Sequence, residues 1–227
     1  MERRMDRCHI MMTEENINGR QIVLHLLKNY VKIDGIIIER SRLSEKTKSF
    51  LKNDYYNPPF IRDMVINKQI PLYFVSNHNN QESLSLIKSL KPMVIVLGGT
   101  RILKKEIIDA VEIGIVNIHP GMLPFYRGQD VVGWSILNGD DVGVTTHFIT
   151  EEIDAGPILM QKKMSYKKGD SLLKIRVKAM ILGGILASAT LLNLEKITPK
   201  TQNHNESHRY YKMNEKEIKK VEEKLRK

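Results

Sequence analysis

A chain of 227 residues, 41% hydrophobic and 27% charged, has the make-up of an ordinary globular protein and is long enough to bury a sizeable core. Its one cysteine, Cys8, excludes an internal disulfide and a cysteine-based zinc cluster, so a reducing cytoplasm is the expected setting. Lys and Arg number 36 against 26 Asp and Glu, and the formal charge of +10 favours anionic partners, although a lysine-rich solvated surface gives the same number.

The opening residues are charged and no long apolar run follows, so no secretory leader is expected. Residues 8–12 read as a first strand, and 19–30 space Ile22, Val23, Leu26 and Leu27 along one helical face. Residues 35–38 form a continuous apolar run, as a strand covered on both sides would. The segment 40–69 is polar, carries Asn57-Pro58-Pro59, and is a candidate for recognising a second substrate. Strand 70–75, helix 82–90, strand 93–97, helix 103–111 and strand 115–118 follow. This alternation predicts an α/β fold, a Rossmann-like, mostly parallel twisted sheet with helices on both faces. Ligands then bind beyond the carboxyl ends of the strands.

Further on, 144–149 and 158–163 read as strands and 171–194 as one long helix, with Asp170 or Ser171 at its N-terminus. The apolar stretch at 179–192 is shorter than the ~20 residues a bilayer span needs, so it is expected to be a buried amphipathic helix. Residues 1–197 are expected to form the main domain, and 198–227 a charged tail. In that tail Asn214 and Glu217 have capping-box spacing ahead of a helix with Ile218, Val221 and Leu225 on one face.

Chemistry concentrates between 116 and 159. Asn117 and His119 stand two apart at a strand end and so point the same way, before Pro120, Gly121, Pro124 and Gly128 break regular structure. A carboxamide beside an imidazole can polarise a carbonyl or move a proton, and Asp154 is a candidate to orient the imidazole. Capping of a strand end is the structural alternative. A metal held by His119, His147 and Asp154 lacks a compact ligand spacing, and none is expected.

The stretch Asn117-Ile118-His119-Pro120-Gly121-Met122-Leu123-Pro124, then Arg127-Gly128, Gly143-Val144-Thr145-Thr146-His147 and Asp154-Ala155-Gly156, resembles the core of the folate-dependent formyltransferases. That family includes glycinamide ribonucleotide, methionyl-tRNA and sugar N-formyltransferases. The resemblance is close over 91–159 and only a general α/β pattern before that. It implies an enzyme that takes a formyl group from 10-formyltetrahydrofolate, without metal, and places it on a primary amine. Asn117, His119 and Asp154 are then the catalytic residues. Gly99, Arg101, Ile102, Leu103, Glu152 and Ile153 meet the folate. Gly121, Leu123, Pro124, Arg127 and Gly128 meet the acceptor. Many relatives carry serine where Gly121 stands, which bears on acceptor choice. A neighbouring carboxylate favours a charged imidazole, so His119 is expected as imidazolium.

Arg127 meets either a substrate anion or a nearby carboxylate. Tyr126 and Trp134 are expected to pack, His147 to be structural, and His204, His208, Tyr210 and Tyr211 to decorate the surface of the tail. The loop 12–19 is poor in glycine, which disfavours a ribonucleotide phosphate there, and the tail is short for an RNA-binding domain. A small anionic acceptor, an amino-sugar nucleotide, is left by subtraction. Nucleic acid is disfavoured and no membrane partner is implied. The alternatives are methionyl-tRNA or glycinamide ribonucleotide as acceptor, hydrolysis of formylfolate, and a folate-binding module without turnover.

Overall fold

The computed structural model describes residues 7–40 and 56–226. The chain forms two compact units, 1–117 and 118–227.

In the first unit, strands β1 (Cys8–Thr13), β2 (Gly35–Glu39), β3 (Leu72–Val75), β4 (Val94–Leu97) and β5 (Gly114–His119) pair in the order β3-β2-β1-β4-β5, and every pairing is parallel. The last two residues of β5 belong to the second unit. β1, β2 and β4 are buried almost throughout, which is why their sequences run apolar without alternation. Helix α1 (Ile17–Lys28) follows β1, with Asn16 accepting from the Asn18 N–H at its start. Helices α2 (Ile61–Val65), α3 (Gln81–Leu90) and α4 (Lys105–Ile108) are shorter. Most of the expected helix at 103–111 is absent. After Ile108 the backbone leaves the helix, and Glu112 and Ile113 donate to Pro92 and Met93 to enter β5. Of the polar segment 40–69, residues 41–55 lie outside the described residues. Pro58 and Asn57 are held by the buried Arg20 guanidinium, at 2.7 and 2.8 Å. Burial pushes the Cys8 thiol up to about 12, with Asp34 adding to it, so this cysteine is an inert part of the core.

The strand order reverses between β1 and β4, the switch point where α/β sheets bind ligands. Gly98 and Gly99 follow β4 there. A Cβ on Gly98 would stand 2.5 Å from the Gly19 Cα, and Gly99 adopts φ +86° while its carbonyl accepts from the Thr13 N–H at 2.9 Å. These glycines let the start of α1 and the end of β4 approach each other.

The second unit holds β6 (Tyr126–Gly128), α5 (Val131–Asn138), the antiparallel pair β7 (Gly143–Phe148) and β8 (Ile158–Lys163), the long α6 (Leu172–Leu192), β9 (His208–Tyr210) and α7 (Glu215–Arg226). Ser171 caps α6 by accepting from the Lys174 N–H. By length and composition α6 could cross a membrane. Contrary to the expected amphipathic pattern it is apolar on most sides, and 56% of its most apolar 18-residue window is buried. Ile175, Ala179 and Leu186 pack in one cluster with Val132, Ile136, Val144, Met213, Val221 and Leu225.

The charged C-terminal segment therefore contributes to a core. Its capping box is closed in both directions: Glu217 N–H donates to Asn214 at 3.0 Å, and Asn214 N–H to Glu217 at 2.7 Å. The Met213 N–H also donates to Asp130, and the Leu172 N–H to Glu222. β9 pairs in parallel with β6, an element that the loop-like residues Pro124 and Gly128 hide in the sequence.

Candidate active site

β5 carries Asn117 part-exposed and His119 buried at 3% exposure. The loop after it is pinned by Thr145 on β7, whose hydroxyl donates to Gly121 O at 2.7 Å and accepts from the Leu123 N–H at 3.2 Å. Gln161 on β8 donates to Leu123 O at 2.7 Å. The Leu123–Pro124 peptide is cis. In the sequence Thr145 stands only as part of the 143–147 motif, without a role, and Gln161 does not stand out.

His119 and Asp154 come together, with Nδ1 and Oδ2 3.5 Å apart. On the other side of the imidazole, Nε2 lies 2.6 Å from Tyr126 O, an approach that requires a proton on Nε2. Asp154 sits in a turn at φ +52°, a left-handed conformation that Asp tolerates better than most residues. Its Oδ2 accepts from the Gly128 N–H at 2.9 Å, and its carbonyl from Gln202 Nε2 at 2.9 Å. The carboxylate has a second histidine beside it: His147 Nε2 is 3.6 Å from Oδ1, while His147 Nδ1 is 2.8 Å from Phe148 O. The β7–β8 register shifts between Thr146 and His147, and such an irregularity re-aims a side chain. His147, expected to be structural, is buried and bonded to Phe148 O, and it also borders Asp154.

Burial is the largest influence on His119 and holds its pKa below the ordinary histidine value. Asp154 pulls in the opposite direction without prevailing, and His147 and Arg127 push further down. The expectation that Asp154 raises the imidazole pKa is therefore corrected: burial outweighs the carboxylate and holds the ring below its ordinary value, while Nε2 keeps its proton towards Tyr126 O. For Asp154 burial alone would raise the pKa, but His119, His147 and the Gly128 N–H outweigh it, and the group stays a carboxylate well below its usual range.

These shifts fix a pH dependence. A histidine whose folded pKa lies below its unfolded value, near 6.5, binds fewer protons folded than unfolded. Its folded form therefore loses stability as pH falls through that window. Asp154 acts in the same sense at more acid pH, because the stability it contributes is lost only as pH falls towards its folded pKa. Urea unfolding is expected to show a lower midpoint at pH 5 than at pH 7, and His119→Gln to flatten the difference. His9, His25 and His78, also shifted downwards mainly by burial, keep part of it. An unchanged slope in His119→Gln would mean that the His119 ring is not buried neutral.

The remaining candidates divide. Gly121 sits against the histidine: a Cβ there would stand 2.7 Å from His119 Nε2 and 2.8 Å from Tyr126 O. Leu123 is buried and Pro124 half-buried. Of the two partners left open for Arg127, the structure supplies the carboxylate. Its guanidinium is buried against Glu152 at 2.6 Å, Ile153 O at 2.8 Å and Ser207 Oγ at 3.1 Å. Gly128 has φ +95° and backs onto β9. In the first unit the Arg101 guanidinium is bound by the buried Glu39, Leu103 is buried, and Ile102 is 68% exposed. Trp134 packs as expected, with Nε1 donating to Tyr211 O at 2.9 Å. Tyr210 does not decorate the surface but stacks on Tyr126.

Comparisons with known proteins bear on the family and the fold. Residues 8–183 match the formyl transferase family. The methionyl-tRNA formyltransferase of Thermodesulfovibrio yellowstonii is 34% identical over 148 residues, 63% of this chain and 48% of that protein. That of Clostridioides difficile is 30% identical over 150 residues, 64% and 48% of the two chains. The chain spans about half the length of the curated relatives it matches. Among solved structures, the N-formyltransferase from Helicobacter canadensis in complex with folinic acid and dTDP-3-aminofucose has a TM-score of 0.66 at 19% identity, covering 95% of this chain and 80% of that one. Glycinamide ribonucleotide transformylase 1 from Symbiobacterium toebii has a TM-score of 0.66 at 18% identity, covering 89% and 96%. At such identities the structures speak for the fold, and the matched span, three-quarters of the chain and inclusive of Asn117, His119 and Asp154, speaks for descent: the chain belongs to the formyl transferase family.

Proposed function

We propose that this protein transfers a formyl group from 10-formyltetrahydrofolate to a primary amine, with Asn117, His119 and Asp154 as its catalytic residues. The observation that carries the reading is the pairing of His119 with the Asp154 carboxylate at 3.5 Å, within a family match. An uncharged amine attacking the formyl carbon puts negative charge on the formyl oxygen and acidifies its own nitrogen. Asn117 donates a hydrogen bond to that oxygen. His119 with Asp154 takes the proton from the amine and returns it to the leaving nitrogen of the folate, so the pair ends as it began. The carboxylate stabilises the imidazolium that exists between those two transfers.

For the donor, Gly99, Arg101, Ile102 and Leu103 are the proposed contacts. The exposed Ile102 side chain fits this role, since an apolar surface suits a flat heteroaromatic ring. The proposed acceptor is an amino-sugar nucleotide. Support comes from the breadth of the likeness to the Helicobacter canadensis protein, whose structure holds dTDP-3-aminofucose, and from the +10 charge, which suits a diphosphate. Methionyl-tRNA is the second reading, favoured by the sequence relatives.

The test incubates the protein with formylfolate and, separately, amino-sugar nucleotides, glycinamide ribonucleotide and methionyl-tRNA, and looks by mass for the gain of one formyl group. A formylated amino sugar is the expected product. Formyl-methionyl-tRNA would replace the acceptor assignment, and donor consumption without any amine would replace transfer by hydrolysis.

A further inference from the structure

Strand β6 gives the His119–Asp154 pair two backbone groups. Tyr126 O accepts a hydrogen bond from His119 Nε2, and the Gly128 N–H donates to Asp154. β6 has only three residues, and its partner in the two-stranded sheet is β9, with Tyr126 opposite His208 and Gly128 opposite Tyr210. Two short strands are marginal by themselves and need side-chain packing to keep their register.

Tyr210 supplies that packing. Its ring is stacked on Tyr126, with centroids 5.0 Å apart and planes 9° from parallel, and stands 5.4 Å from Trp134. Its hydroxyl accepts from Asn138 Nδ2 at 3.0 Å, and the same amide reaches the Tyr126 hydroxyl at 3.0 Å. Its carbonyl accepts from the Gln129 N–H at 3.0 Å, just past Gly128. Tyr210 therefore grips β6 at both ends, by its ring at Tyr126 and by its backbone beside Gly128.

We propose that Tyr210 is a positioning residue for formyl transfer: by fixing β6 it sets the angle of the His119 ring and its distance from Asp154, without touching either substrate. The assignment rests on the formyl-transfer reading of the site. A displacement of about 1 Å in a catalytic group can cost about 100-fold in rate, so loosening β6 acts on turnover rather than on substrate binding.

Tyr210→Ala in the full chain is expected to lower kcat ~10- to 100-fold, with KM for formylfolate and for the amine little changed. Tyr210→Phe keeps the stacked ring and is expected to restore kcat. The second readout needs no turnover: imidazole nitrogen NMR of the labelled protein is expected to show the His119 Nε2-protonated form in wild type and Tyr210→Phe, and a shifted or mixed signal in Tyr210→Ala. Where Tyr210→Ala does not fold, Tyr210→Leu takes its place. An unchanged His119 signal in the folded variant overturns the proposal, as does a shifted signal with wild-type kcat. If wild type transfers no formyl group, the functional reading falls, and the His119 signal alone still decides whether Tyr210 sets the ring.

Discussion

Asp154→Asn is expected to lower formyl transfer by about 100-fold or more while leaving a folded protein. Asparagine occupies the left-handed backbone region as readily as aspartate does, so the turn at φ +52° survives. Its amide oxygen can accept from the Gly128 N–H, and the Gln202 contact goes to the backbone carbonyl, which the substitution does not alter. What disappears is the charge that makes a proton on His119 affordable inside a buried site. The ring is already held below its ordinary pKa, and without the carboxylate only the hydrogen bond to Tyr126 O opposes burial. Steady-state turnover with purified protein, alongside thermal melting, checks this. Turnover near that of wild type in Asp154→Asn would remove the carboxylate from the chemistry, and comparable losses are expected in His119→Ala and Asn117→Ala.

The largest stability effect is expected at Gly128. Its φ of +95° is strained for any residue with a Cβ, and that atom would lie 2.2 Å from the Tyr210 carbonyl oxygen. Backbone strain of this kind costs ~1–3 kcal/mol and forced overpacking about as much again. Gly128→Ala is therefore expected to cost ~2–5 kcal/mol, a large share of a typical domain's stability, and to push β9 off β6. The Gly128 N–H then no longer holds Asp154, so activity falls with stability. Urea denaturation read against wild type checks the first effect, and a variant as stable as wild type would show that β6 and β9 do not pack as described.

Much of this was legible in the residues, for stateable reasons. Strands such as 35–39 are buried on both faces and wear a continuous apolar run, and Ser171 and Asn214 announce helices through capping chemistry that is local by nature. The grouping of His119 with Asp154 was implied by the resemblance to the formyltransferase motif, with Asp154 only one candidate carboxylate on the residues alone. The missing parts depend on distance in space. The strand 126–128 is fixed by residues 208–210, far along the chain, and no local pattern reports such a pairing. His147 looked like an ordinary strand residue because only the register shift beside it turns it to Asp154. The direction of the His119 pKa shift was misjudged because the sequence displays the neighbouring carboxylate and conceals the burial that outweighs it.

The late position of β9 and α7 sets an order of events during synthesis. His119, Tyr126 and Asp154 leave the ribosome well before Tyr210, Met213 and Leu225, yet the strand that aligns them and the apolar cluster that seals α6 both await those later residues. Closing so long a loop is slow compared with forming the local helices. The β6–β9 pairing and the full apolar cluster of the second unit therefore form only after residues 208–225 have been made.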